Sequence, residues 1–423
     1  MTNWKFFGEP PSYVDKSKDP GMSEIPKATV MGWLTNTPFV LINSPNFVWA
    51  CMSLGLYWIA PYDLRPDSLA ASSPLSYEFI GSRLKIWIPT VFGYFGFWHG
   101  TLHLLKFGTR PFIKERQYNL DKLLHNTFWT LSGTVIWAAY ENVFCYLWST
   151  GRLPYVNDSI TFGGSPQGIF YFLTALAGVP VWRSVHFYFA HRFLHYGPLY
   201  QQVHSLHHRN TDIEPFSGLC MHPVEHLYYY ACVGPSLVLL CSPYAFFWNG
   251  VHLLMSPAAG HSGYEDHFQS DLFHYLHHRY FECNYAGGDA GFMDVIFGTF
   301  RSSMAPETEP KARADAKSTL RTVPTMEFIT YLAACYGCFT LWFHFLGLPT
   351  SVATSLSLSF ITGFGPTILS VIVSKLFGGG RGVKPTSMST LGNAIHISAG
   401  AALCAAPVAY ATWLSLRPPA LSS

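Results

Sequence analysis

Residues 168–195 read GIFYFLTALAGVPVWRSVHFYFAHRFLH, an apolar stretch that ends in two histidines four positions apart. A helix needs about 20 apolar residues to span a bilayer, and residues 168–190 meet that length. In a helix, positions i and i+4 lie on one face, so His191 and His195 can point at a common centre. This stretch therefore predicts a membrane helix that carries a pair of metal ligands at its end.

Histidines at helical spacing recur downstream. Residues 204–208 and residues 274–278 both read HxxHH, and 14 of the 19 histidines lie between positions 186 and 278. Neutral imidazole binds Fe, Zn, Cu and Ni, and it titrates near pH 6.5, so deprotonation at neutral pH is easy. Eight or more such ligands exceed what one four- to six-coordinate ion can use. The pattern therefore predicts two metal ions.

The metal site is expected to consist almost entirely of histidine. Soluble di-iron bundles use Glu-x-x-His motifs, and none occurs between residues 191 and 278. Four carboxylates in or near this window remain available to accept hydrogen bonds from the ring N–H groups: Glu225, Glu265, Asp266 and Asp289.

The composition indicates a membrane protein. The chain of 423 residues is 49% hydrophobic and only 12% charged, whereas soluble proteins carry about 25% charged residues. Further spans are predicted at 38–60, 85–105, 128–150, 327–347, 351–375 and 393–415. Residues 227–255 are also apolar, but Pro235 and Pro243 break them, so they predict a membrane hairpin.

The distribution of basic residues predicts the orientation. The loop 106–127 carries five Lys and Arg residues and the loop 151–167 only Arg152, which makes the first cytosolic and the second luminal. The hairpin then returns the chain to the cytosolic side, where all three histidine motifs meet. The expected fold is an all-α integral membrane protein, a transmembrane helix bundle with a cytosolic histidine-rich helical cap.

The sequence divides into five regions. No cleaved signal peptide is expected, because the first thirty residues are polar and mixed in charge. The regions are a polar N-terminal segment (1–37), N-terminal transmembrane helices (38–167), a catalytic region (168–302), a linker (303–325) and a C-terminal transmembrane module (326–423).

Several motifs together resemble a known family. HRFLH, HSLHH, MHPVEH, GHSGYE and FHYLHHRYFECNYA, followed by Asp294 and Phe297-Gly298-Thr299, closely resemble the fatty acid hydroxylase superfamily, which includes sterol desaturases and sterol C-4 methyl oxidases. The resemblance covers about residues 168–302. It implies a multi-pass endoplasmic-reticulum enzyme with two Fe ions, O2 as co-substrate and electrons from cytochrome b5 or an equivalent reductase system. No His-Pro-Gly-Gly occurs in the chain, so the carrier is expected to be a separate protein.

The resemblance also assigns metal ligands to matching positions. Nine histidines carry this role: His191, His195, His204, His207, His208, His261, His274, His277 and His278. Two further candidate metal ligands rank below these nine: His222, which matches the His-Pro of the family pattern, and His226, which resembles a histidine present in only some branches. Met293 departs from the pattern, which often has Trp before Asp294, and this affects packing rather than chemistry.

The expected activity is oxidation of a membrane lipid. HPVEH and GHSGYE resemble the sterol-desaturase branch, which implies desaturation, hydroxylation or C-4 methyl oxidation of a sterol or related isoprenoid lipid. Squalene-type epoxidation and fatty-acyl hydroxylation remain open on the same centre. The net charge of +2 gives no reason to expect a nucleic-acid partner, and nothing indicates an oligomeric state.

Two other protein classes fit parts of the pattern. Residues 222–226 read HPVEH and match the HxxEH of zinc proteases, but a protease would leave at least eight histidines without a role. A metal transporter would carry its histidines in a low-complexity loop, whereas these lie among aromatic residues. His99 and His103 form a further HxxxH in a predicted span, and polar groups there are candidates for function.

Overall fold

The computed structural model describes residues 45–108, 111–113, 119–195, 197–234, 236, 241–265, 269–287 and 291–304. The predicted N-terminal segment (1–37), the C-terminal module (326–423) with its three spans, and all but the first two residues of the linker lie outside the described residues. So do Pro235, Asp266 and Asp289.

The described residues form helices joined by turns, and no named strand occurs among them. The α-helices are α1 Pro45–Ile59, α2 Leu69–Ser72, α3 Tyr77–His99, α4 Leu120–Ser149, α5 Asp158–Thr161, α6 Pro166–Leu194, α7 Gly197–Gln202, α8 Pro223–Tyr230, α9 Pro243–Gly260, α10 Gln269–Tyr280 and α11 Phe292–Ile296. A π-helical turn, Gly100–Leu104, follows α3, and three 3-10 helices lie at His204–Arg209, Pro215–Leu219 and Ala231–Val233.

Two helices that lead to the histidines begin in the same way. Ser165 caps α6 and Ser242 caps α9, and in each helix the next residue is a proline, which fits the first turn because its missing N–H is not needed there. At the other ends, His195 and His261 are the C-terminal caps. The negative ends of two helix dipoles therefore lie where a cation would bind.

Helix α9 forms the centre of the core. Phe247, Trp248 and Leu253 have no exposed surface, and the helix packs against α1, α3 and α6. Gly250 permits the approach of α4, because a Cβ atom there would lie 2.1 Å from the ring of Trp137. Residues 227–255 do not form one continuous helix, because α8 ends at Tyr230 and α9 begins at Pro243. The membrane hairpin stays a prediction.

Helix α4 buries several polar side chains beside apolar ones and exposes an apolar stripe. Asn126 and Glu141 are buried completely. Nε of Arg83, on α3, donates a hydrogen bond to Glu141 at 3.0 Å. On the opposite side, Leu124 and Phe128 are 59% and 62% exposed, within a stripe that also includes Leu120, Leu131 and Val135. A helix in water usually has a polar outer face, so the exposed apolar stripe of α4 is suited to an apolar surrounding.

One helix among the described residues, α6, is long and apolar enough to cross a membrane. It matches the predicted span at 168–190 but runs on to Leu194. The predicted spans at 38–60, 85–105 and 128–150 coincide with α1, α3 and α4 with shifted ends. The bundle in a bilayer and the cytosolic cap stay predictions.

Candidate metal centre

Nine buried histidines form two adjacent clusters. Within each cluster the ligand nitrogens lie within 4.8 Å of one another. The five-histidine cluster consists of His191, His195, His204, His208 and His277, and the four-histidine cluster consists of His207, His261, His274 and His278. These are nine of the eleven positions for which the sequence predicted a ligand role, and the other two are His222 and His226.

The two HxxHH motifs each contribute to both clusters. In residues 204–208 the first and last histidines join the five-histidine cluster, and His207 joins the other. In residues 274–278 the first and last histidines join the four-histidine cluster, and His277 joins the five-histidine cluster. The clusters are therefore interlocked through shared backbone segments. One motif also differs from the α-helical spacing expected for it, since His204–Arg209 is a 3-10 helix.

The Nε2 atoms are spaced like ligands of one ion. Neighbouring Nε2 atoms within a cluster lie 3.0 to 3.3 Å apart, for example 3.0 Å between His208 and His277 and 3.0 Å between His261 and His278. Nitrogens placed at right angles around a metal with bonds of about 2.1 Å would be about 3.0 Å apart. The spacing fits a metal ion in each cluster.

The Nδ1 atoms, on the side of each ring away from the cluster, make hydrogen bonds that leave Nε2 lone pairs facing one another inside it. Nδ1 of His261 faces the carbonyl oxygen of Pro257 at 2.8 Å, and Nδ1 of His207 faces that of Cys220 at 3.3 Å. A carbonyl oxygen only accepts, so each Nδ1 holds the proton and each Nε2 presents a lone pair. These two Nε2 atoms are 3.3 Å apart.

No proton is available to lie between those two lone pairs. Burial lowers the pKa of His207 to about 4 and the pKa of His261 well below its usual range, so both rings are neutral. Burial likewise lowers the pKa of His204, His208, His274, His277 and His278. A metal cation between the two rings can bind both Nε2 lone pairs, which no proton satisfies. Neutral imidazole nitrogens are suitable donors to such a cation.

A short loop after α10 orients two ligands of the five-histidine cluster. Nδ1 of His191 donates to the carbonyl oxygen of Tyr285 at 2.9 Å, and Nδ1 of His277 donates to that of Cys283 at 2.7 Å. Asp294 holds this loop by accepting from the backbone N–H groups of Tyr285 and Ala286 at 2.8 and 2.9 Å. Asp294, quoted in the sequence only as part of a motif, thus acts on the site through the loop.

Two carboxylates contact the histidines of the five-histidine cluster. Glu225 Oε1 lies 2.8 Å from Nδ1 of His204, in the role expected for it. Glu282 Oε1 lies 3.4 Å from Nδ1 of His195. Sequence reasoning missed Glu282, although it stands inside the quoted motif FHYLHHRYFECNYA. Glu282 follows Phe281, whose φ of 69° lies in the left-handed region directly after α10.

The remaining candidate histidines lie outside both clusters. His222 caps α8, with its Nδ1 accepting from the backbone N–H of Val224 at 3.1 Å. His226 stacks on Tyr230, and its Nε2 faces the carbonyl oxygen of Trp129 at 3.4 Å. His103 contacts the carbonyl oxygen of Ser262 at 2.8 Å, and His99 lies 3.5 Å from Glu214.

Comparison with known proteins agrees with the resemblance read from the motifs. Residues 176–299 match the family model for fatty acid hydroxylase. Methylsterol monooxygenase 1 of Gallus gallus is 29% identical over 226 residues, which are 50% of this chain and 71% of the relative.

Two further relatives are similar over shorter segments. Fatty acid hydroxylase domain-containing protein 2 of Macaca fascicularis is 32% identical over 30% of this chain and 39% of its own length. A Delta(7)-sterol 5(6)-desaturase of Gibberella zeae is 29% identical over 31% of this chain and 42% of its own length. These two alignments span less than half of each relative, and no solved structure is significantly similar to the chain.

The match to the family model contains both histidine clusters, the loop that orients them and Asp294. Over residues 176–299 the chain therefore carries a domain of the fatty acid hydroxylase superfamily.

Proposed function

We propose that this protein is an O2-dependent, di-iron membrane lipid oxidase. The observation that carries the proposal is the pair of interlocked clusters, in which nine neutral imidazoles converge through their Nε2 atoms. Two iron ions held there would supply the redox chemistry that oxidation of an unactivated C–H bond requires. Iron is the proposed metal because the matched superfamily is one of oxidative enzymes, and imidazole suits it.

The chain's own residues would bind, orient and shield the metals. The five-histidine cluster would hold one ion and the four-histidine cluster the other. Backbone carbonyl oxygens and Glu225 keep a proton on the Nδ1 side and so direct the Nε2 lone pairs inward. All nine rings are at most 7% exposed, so the protein excludes bulk water from the centre.

The proposed location is the endoplasmic-reticulum membrane, with the chain crossing it several times and the histidine motifs facing the cytosol. The apolar helix α6 and the exposed apolar stripe of α4 support contact with lipid. Electrons would come from a separate carrier such as cytochrome b5 on the cytosolic side.

The proposed substrate is a sterol or related isoprenoid lipid. Two of the relatives are named for reactions on sterols, which supports this class. Fatty-acyl hydroxylation and squalene-type epoxidation remain alternatives on the same centre, and one relative is named for a fatty acid hydroxylase domain. A zinc protease is less well supported, because Glu225 of the HxxEH pattern bonds to His204 and the two flanking histidines lie outside the clusters.

The test combines metal analysis with lipid analysis. The full chain is expressed in a host that lacks defined sterol-pathway oxidases, its iron content is measured after purification, and lipid extracts are compared by mass spectrometry. We expect two irons per chain and an oxidised sterol-type lipid whose formation needs O2. One tightly bound zinc with peptidase activity, or metal transport in proteoliposomes without lipid oxidation, would overturn the proposal.

A further inference from the structure

Helix α3 ends in a pair of histidines that belong to neither metal cluster. His99 is its last residue, and the π-helical turn Gly100–Leu104 that follows carries His103. The two rings stack at a centroid separation of 5.3 Å. Nε2 of His103 faces the carbonyl oxygen of Ser262 at 2.8 Å. A carbonyl oxygen only accepts, so this nitrogen holds a proton and donates to Ser262 instead of binding a metal.

The π-helical turn presents a carbonyl group for a second contact. The backbone N–H of Leu105 donates to the carbonyl oxygen of Gly100 at 2.8 Å, and the chain leaves the helix at Lys106, whose φ is 53°. In an α-helix the carbonyl group of Leu102 would accept from the N–H four positions on. Here it accepts from the hydroxyl of Tyr264 at 2.7 Å. The irregular turn therefore links the end of α3 to a segment far away in the sequence.

The contacts between these two segments are reciprocal. His103 donates to a carbonyl group of residues 262–264, and Tyr264 donates back to a carbonyl group of the π-helical turn. The rings of His103 and Tyr264 also pack edge to face at a centroid separation of 5.4 Å. A third hydrogen bond runs from the backbone N–H of Phe112 to the carbonyl oxygen of Gly263 at 3.1 Å. Three successive residues are thus held by the chain that follows α3.

The held segment begins directly after a ligand of the four-histidine cluster. His261 is the C-terminal cap of α9, and Ser262 is the next residue. On the helix side, Nδ1 of His261 donates to the carbonyl oxygen of Pro257 at 2.8 Å, and its Nε2 lies 3.0 Å from that of His278. Beyond the end of α9, the path of the chain at His261 depends on where residues 262–264 are held. Metal ligands need support from both sides, because errors of about 0.5 Å already matter for a site.

We propose that His103 and Tyr264 are positioning residues for the metal ion of the four-histidine cluster. They fix residues 262–264 and thereby the orientation of His261. The inference rests on the part of the proposed function that places a metal ion in each cluster, and it is independent of the lipid. The five-histidine cluster takes its ligands from α6, α10 and the 3-10 helix His204–Arg209, so it should depend much less on this contact.

Binding of Co²⁺ to the metal-free full chain tests this inference without any turnover. Co²⁺ is next to Fe²⁺ in its affinity for nitrogen ligands, and its two binding steps are measured by calorimetry in detergent. His274→Ala and His204→Ala assign the steps, because each removes a ligand from one cluster. We expect His103→Phe and Tyr264→Phe to weaken binding at the four-histidine cluster about tenfold, as the loss of one buried hydrogen bond implies. The step of the five-histidine cluster should change much less.

Two further variants separate positioning from general stability. His103→Gln should retain most of the affinity that His103→Phe loses, because its amide can still donate to the carbonyl oxygen of Ser262. Tyr140→Phe is the matched control for Tyr264→Phe. Both tyrosines are 7% exposed, and the hydroxyl of Tyr140 also donates to a carbonyl oxygen, that of Leu227 at 3.1 Å. The control should lower the melting temperature of the metal-free protein by a similar amount and leave Co²⁺ binding at the four-histidine cluster unchanged.

Unchanged Co²⁺ binding in both His103→Phe and Tyr264→Phe would overturn the inference, as would an equal weakening of the two steps, which indicates general destabilisation. Should His103→Phe fail to fold, Tyr264→Phe still decides, because it removes only a hydroxyl group. Two irons and an oxidised lipid, with unchanged Co²⁺ binding in these variants, would refute this inference alone. Selective weakening at the four-histidine cluster in a chain that forms no oxidised lipid would refute the proposed function alone.

Discussion

At the scale of single residues, the site depends on which ring nitrogen holds the proton. The carbonyl oxygens of Pro257, Cys220 and Cys283 each face an Nδ1 atom and so determine the tautomer of His261, His207 and His277. HxxxH and HxxHH spacing predicted that the histidines converge. It gave no information on the tautomers, because the accepting carbonyl groups come from other segments of the chain.

Removing one ligand from either cluster is expected to eliminate the lipid product. His207→Ala leaves three ligands in the four-histidine cluster, and His277→Ala leaves four in the other. Both should also reduce the iron content per chain, measured by atomic emission, because a lost ligand weakens metal binding. His222→Ala, outside both clusters, is the control and should keep the iron of the unaltered protein. Full product formation by either cluster variant would contradict a shared centre.

The partner of His204 should affect metal affinity without being a ligand. Glu225→Ala removes the carboxylate 2.8 Å from Nδ1 of His204 and leaves that ring free to rotate or change tautomer. We expect a loss of metal affinity of about 10- to 100-fold, measured by competition with a chelator. Glu225→Gln should lose less, because its amide oxygen can still accept from Nδ1. If alanine and glutamine behave alike, the hydrogen bond has no orienting role.

At the scale of elements, helix ends and short loops bring the motifs together. The C-terminal ends of α6, α9 and α10 supply His195, His261 and His277, while the 3-10 helix His204–Arg209 inserts between them. Spacing predicted that the three histidine motifs converge, the resemblance to the fatty acid hydroxylase superfamily implied the nine ligand positions, and the prolines predicted the interruption before α9. The distribution of each HxxHH over two clusters was not, since it depends on the 3-10 geometry and on packing between distant segments. Glu282 was missed for the same reason.

Helix α9 should be sensitive to small increases in volume. Gly250→Ala would place a methyl group 2.1 Å from the buried ring of Trp137, so α4 and α9 must separate. We expect a destabilisation of about 1–3 kcal/mol and weaker metal binding, because α9 carries Pro257 and His261. Thermal unfolding and iron content measure both effects. Gly93→Ala, where nothing lies within 4 Å, is the matched helical control and should unfold at the same temperature or slightly higher.

At the scale of the whole molecule, the described residues bury polar groups within an apolar core and leave some apolar faces exposed. Paired charges such as Arg83 and Glu141, and the nine histidines, are buried, whereas Leu124 and Phe128 are exposed. The low charged fraction and the apolar runs predicted this class of fold from the sequence. They could not indicate that Arg83 would pair with Glu141, because that depends on how α3 and α4 pack together.

The burial of so many neutral histidines makes the stability of the metal-free protein depend on pH. His207 has a pKa of about 4 in the folded chain and about 6.5 when unfolded, so between these values only the unfolded chain binds the proton. The stabilisation is therefore complete above pH 6.5 and is lost as the pH falls towards 4. For His207 alone it amounts to about 3 kcal/mol, and the other buried cluster histidines with lowered pKa values act in the same direction.

We therefore expect the melting temperature of the metal-stripped protein to fall steeply from pH 7 to pH 5. The metal-loaded protein should resist this change over the same range, because bound cations occupy the lone pairs that protons would take. His207→Ala removes one of the titrating groups, so its metal-free form should show a shallower decline. A melting temperature of the stripped protein that is flat between pH 5 and 7 would mean that these rings are already charged or exposed in the folded chain, which the facing Nε2 lone pairs do not allow.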